Sequence, residues 1–180
     1  MDDRSDEEIA SAVQGGDAES FALLIERYEA KMMRYANKFF LNKVDTEDAV
    51  QDIFLKAYAN IRSFDAKRRF SPWLYRIAHN EFINVIKKKS REPLSFFSFD
   101  SLLPHLSSED NADDGAVKRE VLDALNRSLN KLSVLYREPL ILRYFEDMSY
   151  QEIAEVLKVP VSTVGIRLRR GQQILKESMV

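Results

Sequence analysis

Segment 149–170 constrains the fold most, because it predicts two short helices joined by a tight turn. Ser149 and Glu152 have the S-x-x-E spacing of a capping box, which satisfies free amides at a helix start. Pro160 interrupts this first helix. Lys158 stands in the turn, where glycine would adopt a left-handed conformation at lower cost.

The second helix of this pair has two chemically different faces. Val161, Val164 and Leu168 repeat at about 3.6 residues and predict a packing face, whereas Arg167, Arg169 and Arg170 point elsewhere. A short helix of this kind suits the major groove of DNA and predicts a protein that reads DNA. The alternative is an amphipathic hairpin with a solvated basic face. Gly165 favours that alternative, because glycine inside a helix costs about 1 kcal/mol relative to alanine.

Charge distribution, rather than the net charge of −2, also indicates nucleic acid. Residues 62–91 contain nine lysines and arginines against two acids, and residues 158–176 contain five against none. Acidic residues collect in the first twenty positions and in 109–114. This arrangement predicts two DNA contacts separated by a self-repelling spacer.

Several classes of protein are excluded or disfavoured by composition. The chain has no cysteine, so disulfides and thiolate metal sites are impossible. It has no apolar run of membrane-spanning length, and its start is acidic rather than that of a signal peptide. We therefore expect a cytoplasmic protein with no membrane insertion, no metal and no cofactor.

Helical periodicity dominates the rest of the chain and predicts an all-α protein with two small helical domains. We expect a domain over 1–91, a flexible linker over 92–117, and a domain over 118–180 that ends in a helix-turn-helix. In the second domain, Pro139 predicts a helix that starts near Arg137 or bends. The predicted helix faces of the first domain are Phe21, Leu24, Ile25, Tyr28, Met32, Tyr35 and Phe39; then Ala49, Val50, Ile53, Phe54, Ala57, Tyr58 and Ile61; then Trp73, Leu74, Ile77, Ala78, Phe82 and Ile86.

Three segments in this order resemble the bacterial extracytoplasmic-function (ECF) sigma factors, in their minimal form with only the second and fourth conserved regions. They are 45–58 (DTEDAVQDIFLKAY), 70–80 (FSPWLYRIAHN) and 136–154 (YREPLILRYFEDMSYQEIA), which runs into the terminal helices. The resemblance implies a dissociable subunit of RNA polymerase that recognises and melts promoters. It also implies that the chain makes or breaks no bond itself, and that an anti-sigma factor is a plausible partner.

The acidic segment 45–58 is open to three interpretations. From the residues alone we favour a solvated helix face, with a metal or acid-base cluster as the least favoured reading because the two histidines lack ligand spacing. The resemblance implies instead that this helix binds core polymerase, where charges set register and apolar residues supply affinity. The residues implied are Asp48, Gln51, Asp52, Phe54 and Leu55.

Segment 62–89 mixes cations with aromatic residues, a combination suited to single-stranded nucleic acid. The alternative, which is about equally favoured for Trp73, is that the aromatic residues belong to the core. The resemblance implies that this loop and helix melt the −10 promoter element and hold an extruded base. The candidate residues are Phe64, Asp65, Lys67, Arg68, Arg69, Phe70, Trp73, Arg76 and Asn80.

The terminal helix, by the same resemblance, reads the −35 element as duplex DNA. Gly165 and Ile166 depart from the family pattern, in which lysine and serine are common at these positions. We expect Leu142, Tyr144 and Phe145 to be core residues, although the family places a polymerase flap contact in this region. The candidate residues of the helix are Ser162, Thr163, Gly165, Ile166, Arg167, Arg169 and Arg170.

Two other functions are consistent with part of the sequence. A stand-alone helix-turn-helix regulator would explain the C-terminal helices but not the aromatic and basic loop. A hydrolase built on the acidic cluster would show metal-dependent turnover that is lost in Asp48→Ala.

Overall fold

The computed structural model describes residues 2–40, 43–89, 128–129 and 132–178, and at 86–89 and 178 it describes the backbone alone. All regular structure in these residues is helical, so the predicted all-α fold is confirmed. The α-helices are α1 (Asp6–Gln14), α2 (Phe21–Ala36), α3 (Lys43–Asn60), α4 (Phe70–Lys89), α5 (Val134–Tyr144), α6 (Tyr150–Leu157) and α7 (Val161–Ser178), with 3₁₀ turns at Ala18–Ser20 and Ile61–Ser63.

The chain divides into two compact units. The first contains α1 to α4, and the second contains α5, α6 as far as Ala154, and α7. The predicted linker lies outside the described residues.

Helices α2, α3 and α4 of the first unit enclose an aromatic core. Tyr35 of α2 lies 4.9 Å from Tyr75 and 5.2 Å from Phe82, both on α4, measured between ring centroids. Phe39, just after α2, lies 4.8 Å from Phe82. Tilted contacts of this kind add stabilisation beyond the burial of the rings themselves.

An ion pair between a buried carboxylate and an exposed ammonium joins α3 to α4. Glu81 is a buried residue of α4, and its carboxylate accepts a hydrogen bond from the Lys56 ammonium. Glu81 is one of only two acids in the basic segment 62–91. Because its charge is buried and paired, it does little to offset the positive charge of the surrounding surface.

The second unit depends on close packing between α5 and α7. Val164 and Leu168 of α7 are buried, as are Leu140 and Leu142 of α5. Gly171 marks the closest approach, since a Cβ there would lie 2.9 Å from Leu140 Cδ1 and 3.1 Å from the Tyr136 carbonyl oxygen.

The helix-turn-helix has the local structure that its sequence predicts. The amide of Ser149 donates to Glu152 Oε2 at 2.7 Å, and the amide of Glu152 donates to Ser149 Oγ at 3.2 Å, which completes the capping box. Helix α6 ends at Leu157, and Lys158 has a φ of 53°, the left-handed conformation expected at this turn. Helix α7 begins directly after Pro160.

Some packing predictions were wrong. Helix α5 begins at Val134 and continues through Pro139, so it does not start near Arg137. Tyr58, Val161, Tyr144 and Phe145 were expected in the core, but between 44% and 60% of each residue is exposed. Hydrophobic periodicity identifies apolar residues without distinguishing core from exposed surface, and this explains the four errors.

Candidate functional site

The exposed face of α3 holds most of the residues predicted to bind polymerase. Asp48 is exposed one helical turn before Gln51 and Asp52, which are also exposed, and 60% of Leu55 is exposed. Phe54 is an exception, because only 8% of it is exposed and its ring belongs mainly to the core. Phe54 therefore contributes to this surface mainly from below, as a wall of the neighbouring groove.

A groove of about 720 Å³ runs between α2 and α3 beside this face. The groove was not predicted, because most apolar residues of the two helices that form its walls were expected to face the core. Tyr58 closes part of it, with its ring 5.1 Å from that of Phe21 in an edge-to-face contact. The lining residues are Phe21, Ile25, Glu29, Ala30, Met33, Glu47, Val50, Gln51, Phe54, Leu55 and Tyr58.

The loop between the second 3₁₀ turn and α4 presents an exposed cationic surface. Lys67, Arg68 and Arg69 are exposed side by side, an arrangement suited to contact with a phosphate backbone. Asp65 shapes the loop: its Oδ1 accepts a hydrogen bond from the Lys67 amide at 3.0 Å, and its carbonyl accepts one from the Arg68 amide at 2.9 Å. Asp65 therefore fixes a turn in the loop.

Phe64 and Phe70 were predicted to contact DNA, and their burial contradicts that role. Only 5% of Phe64 and 1% of Phe70 is exposed. Both rings lie 5.4 Å from Trp73, and Phe70 also contacts Tyr28 at 5.5 Å. Neither ring has a free face for a base, so we correct both to core residues beneath the loop.

Trp73, Arg76 and Asn80 remain candidates on α4. Their spacing of three and four residues places them along one side of the helix, and each is half-buried. An indole that packs on Phe64 and Phe70 from one side and reaches the surface on the other can act as a fixed stacking platform.

The terminal helix α7 presents an exposed face opposite its packing face. Ser162, Ile166, Arg169 and Arg170 are exposed, whereas Thr163 and Gly165 are half-buried. At Gly165, an added Cβ would meet only Tyr150 Cε2, at an ordinary contact distance of 3.7 Å.

Arg167 differs from the other arginines of α7. Burial lowers the pKa of its guanidinium, while the charge of Glu138 on α5 acts in the opposite direction. Arg167 thus belongs partly to the contact between α5 and α7. Arg169 and Arg170 are the better candidates for contact with DNA.

An exposed aromatic patch surrounds the turn between α5 and α6. It consists of Tyr144, Phe145 and Tyr150. The Arg143 guanidinium lies 5.9 Å from the centroid of the Tyr150 ring, and its Nη1 donates to the Met148 carbonyl at 2.9 Å. Arg143 therefore holds the turn beneath the patch.

No candidate metal site or membrane span occurs in the described part of the chain. Clusters of three or more histidine, aspartate or glutamate residues able to hold a metal ion are absent from it. None of the described helices is long and apolar enough to cross a bilayer.

Comparison with known proteins identifies the class to which this arrangement belongs. Residues 24–92 match the family model for sigma-70 region 2, and residues 122–173 match that for sigma-70 region 4. The second and fourth conserved regions of this class therefore correspond to the two helical units.

Similarity across nearly the whole chain is found with individual relatives. The chain is 34% identical to the ECF RNA polymerase sigma factor SigW of Bacillus subtilis (strain 168), over 93% of this chain and 92% of that protein. It is 30% identical to the ECF RNA polymerase sigma-E factor of Escherichia coli (strain K12), over 95% and 92% respectively. The structure of the sigma factor RpoE from Bartonella quintana, in complex with the anti-sigma factor NepR, has a TM-score of 0.72 at 26% identity and covers 88% of this chain and 96% of its own.

These matches show that the chain belongs to the family of ECF RNA polymerase sigma factors. It functions in promoter recognition by RNA polymerase during transcription initiation, and it is not an enzyme. Membership in this family sets aside the stand-alone regulator and the hydrolase.

Proposed function

We propose that three separate surfaces divide the work of promoter recognition. The exposed face of α3 and the groove between α2 and α3 bind core polymerase. The loop 64–69 and the exposed side of α4 hold single-stranded DNA of the −10 element. The exposed face of α7 reads duplex DNA of the −35 element.

The observation that carries this proposal is the loop 64–69. It places Lys67, Arg68 and Arg69 in solvent close to a half-buried Trp73, in a protein of the sigma family. Cations follow the phosphates of an unpaired strand and an indole stacks on a base, so this combination suits single-stranded rather than duplex DNA.

The chemistry of the α3 surface is that of a protein interface. Exposed Leu55 and Tyr58 lie beside the carboxylates of Asp48 and Asp52. An apolar centre with charged surroundings is the usual arrangement of a protein interface. The exposed aromatic patch at Tyr144, Phe145 and Tyr150 is a second, smaller candidate for polymerase contact, at the polymerase flap.

A further partner is proposed for the same α2–α3 groove, namely an anti-sigma factor. The structural relative RpoE forms a complex with the anti-sigma factor NepR. A second relative, CnrH, forms a complex with the cytosolic domain of CnrY. CnrH has a TM-score of 0.71 at 25% identity, and the match covers 98% of this chain and 97% of CnrH. A regulator bound in this groove would compete with polymerase. We also propose that the chain acts in the cytoplasm, with domains at 1–91 and 118–180 around the linker.

Transcription with bacterial core polymerase on a fragmented genomic library tests the proposed function. We expect discrete start sites only when the protein is present, and weak promoter binding by the free protein, because avidity requires both DNA contacts on one scaffold. Tight sequence-specific binding by the isolated chain, or no start sites together with no binding to core, would refute the proposal.

Three surface variants then test the division of work on one promoter from that assay. Substitution of Lys67, Arg68 and Arg69 by alanine should slow opening, and substitution of Arg169 and Arg170 should weaken binding of the −35 duplex by about 1–3 kcal/mol for each specific contact. Leu55→Ala should weaken binding to core. Arg34→Ala removes an exposed cation from α2, away from all three surfaces, and is the matched control.

A further inference from the structure

Helix α1 holds both ends of the loop that is proposed to capture DNA. Gln14, its last residue, donates from Nε2 to the carbonyl oxygens of Ile61 and Phe64, each at 2.7 Å. Glu7, in its first turn, accepts a hydrogen bond at Oε1 from the amide of Phe70 at 2.8 Å. These contacts bracket residues 65–69, which include the exposed cations, on both sides.

The chemistry of each anchor matches the group that it holds. A glutamine amide nitrogen carries two hydrogens, and Gln14 uses them on two carbonyl oxygens at the start of the loop. Phe70 is the first residue of α4, so its amide has no acceptor within its own helix. The Glu7 carboxylate supplies that acceptor and places a negative charge at the positive end of the helix.

Helix α1 is itself fixed firmly enough to act as an anchor. Its N-terminus has a complete capping box between Ser5 and Glu8. Asp6 forms an ion pair with Arg27 of α2 at 2.8 Å and accepts a hydrogen bond from the Tyr28 hydroxyl at 2.6 Å. Burial and this hydrogen bond both raise the pKa of Tyr28, so its hydroxyl remains a donor at all ordinary pH values.

We propose that Glu7 and Gln14 are positioning residues for DNA melting, which keep the loop in the conformation that receives the −10 strand. The inference rests on the proposed role of the loop. It extends the functional unit to α1, which precedes the matched sigma-70 region 2 segment at 24–92. Neither residue is proposed to touch DNA.

The rate of promoter opening tests this role in the full-length protein with core polymerase. The probe is a promoter fragment from the transcription assay, with the fluorescent base 2-aminopurine in its −10 element. Gln14→Met keeps the length of the side chain and removes both donors, and Glu7→Ala removes the acceptor. We expect Glu7→Ala, which loses one hydrogen bond, to slow opening by about tenfold, and Gln14→Met, which loses two, to slow it by at least as much, with the affinity for core unchanged in both.

Two further variants separate positioning from general stability. Glu7→Gln keeps an oxygen acceptor for the Phe70 amide and should open DNA within about twofold of the unsubstituted protein. Asp17→Ala removes a different cap, on the first 3₁₀ turn, and should leave opening unchanged. Equal losses of opening and of core affinity in Gln14→Met, or a loss in Asp17→Ala as large as in Glu7→Ala, would overturn the proposal.

The loop variant without Lys67, Arg68 and Arg69 distinguishes failure of this inference from failure of the proposed function. Normal opening by that variant would refute the role of the loop itself. Slow opening by that variant with normal opening by Gln14→Met and Glu7→Ala would refute only the role of α1. Amide hydrogen exchange at Phe70 gives an independent readout without DNA, and it should be faster in Glu7→Ala than in Glu7→Gln.

Discussion

The two surfaces proposed to contact DNA are positioned in different ways. The loop 64–69 is held by residues far away in sequence, since Gln14 lies 47 and 50 positions from its two acceptors and Glu7 lies 63 positions from Phe70. The α6–α7 pair is shaped largely by neighbouring residues, through the capping box at its start and the left-handed Lys158 at its turn. The loop therefore depends on the whole first unit, whereas the turn before α7 is fixed locally.

This difference decides which substitutions disturb each surface. The orientation of helix α7 depends on the burial of Val164 and Leu168 in the core of the second unit. Hydrophobic contacts have no preferred direction, so a smaller side chain at either position weakens the packing of the whole helix. The conformation of the loop depends on hydrogen bonds from Gln14 and Glu7. Substitutions that remove these bonds should therefore disturb the loop even when they leave the apolar core intact.

Leu168→Ala should have the largest effect and tests the dependence of α7 on its buried face. Only 2% of Leu168 is exposed, and removal of a buried leucine side chain costs about 2–5 kcal/mol. Urea denaturation should show this loss in the free energy of unfolding, and binding of the −35 duplex should fall with it.

The same variant should keep its single-stranded DNA contact, because the loop belongs to the other unit. Ile166→Ala, at an exposed position of the same helix, is the control for stability and should change the free energy of unfolding by at most about 0.5 kcal/mol. If Leu168→Ala weakened binding of single-stranded −10 DNA as much as it weakened −35 binding, the two surfaces would not be independent.

The two glycines of α7 predict effects of opposite sign. Gly171→Ala would place a Cβ 2.9 Å from Leu140 Cδ1 and 3.1 Å from a backbone carbonyl, and overpacking of this kind costs about 1–3 kcal/mol. Gly165→Ala meets nothing closer than 3.7 Å and should stabilise the helix by up to about 1 kcal/mol. Thermal unfolding of both variants measures the difference, and destabilisation by Gly165→Ala would contradict the packing described for α7.

Sequence reasoning was most reliable where the determinants are local. The capping box at Ser149 and Glu152 depends on residues three positions apart, and it was predicted from their spacing. The turn at Lys158 was also located from the sequence, although lysine adopts its left-handed conformation at a higher cost than glycine. The family resemblance added the identity of the surfaces, which no periodicity could provide. The exposed positions of Asp48, Gln51 and Asp52 also agree with the interface predicted for them.

The features that the sequence did not predict correctly depend on contacts between residues far apart in the chain. A pattern of aromatic and basic residues does not say which rings face inward, so Phe64 and Phe70 were assigned to DNA although they are buried. Tyr144 and Phe145 were assigned to the core although they are exposed, for the same reason. The contacts of Gln14 have no sequence signal at all, because a glutamine at the end of a helix is ordinary until its acceptors are known.

The smallest predicted effect concerns the segment that precedes α1. Asp2 accepts hydrogen bonds from the Arg4 side chain, and these lower the pKa of its carboxyl from the ordinary value of 3.8 to about 2. Because this pKa is lower in the folded than in the unfolded protein, the stabilisation is fully present above the unfolded value and is lost as the pH falls through about 2. Both side chains are partly exposed, so solvent screening keeps the contribution small.

Thermal unfolding of Asp2→Asn against the unsubstituted protein measures this contribution. We expect a slightly lower Tm for the variant at neutral pH, and a difference that shrinks as the pH falls below the unfolded pKa of 3.8 and through about 2. A difference that did not depend on pH would mean that the carboxylate charge is irrelevant to the segment.

Promoter opening should stay unchanged in Asp2→Asn at neutral pH, because the contacts of Glu7 and Gln14 to the loop do not involve Asp2. A defect in opening as large as that of Glu7→Ala would show instead that the loop responds to any loosening of the chain before α2, and the specific role of the two anchors would then be lost.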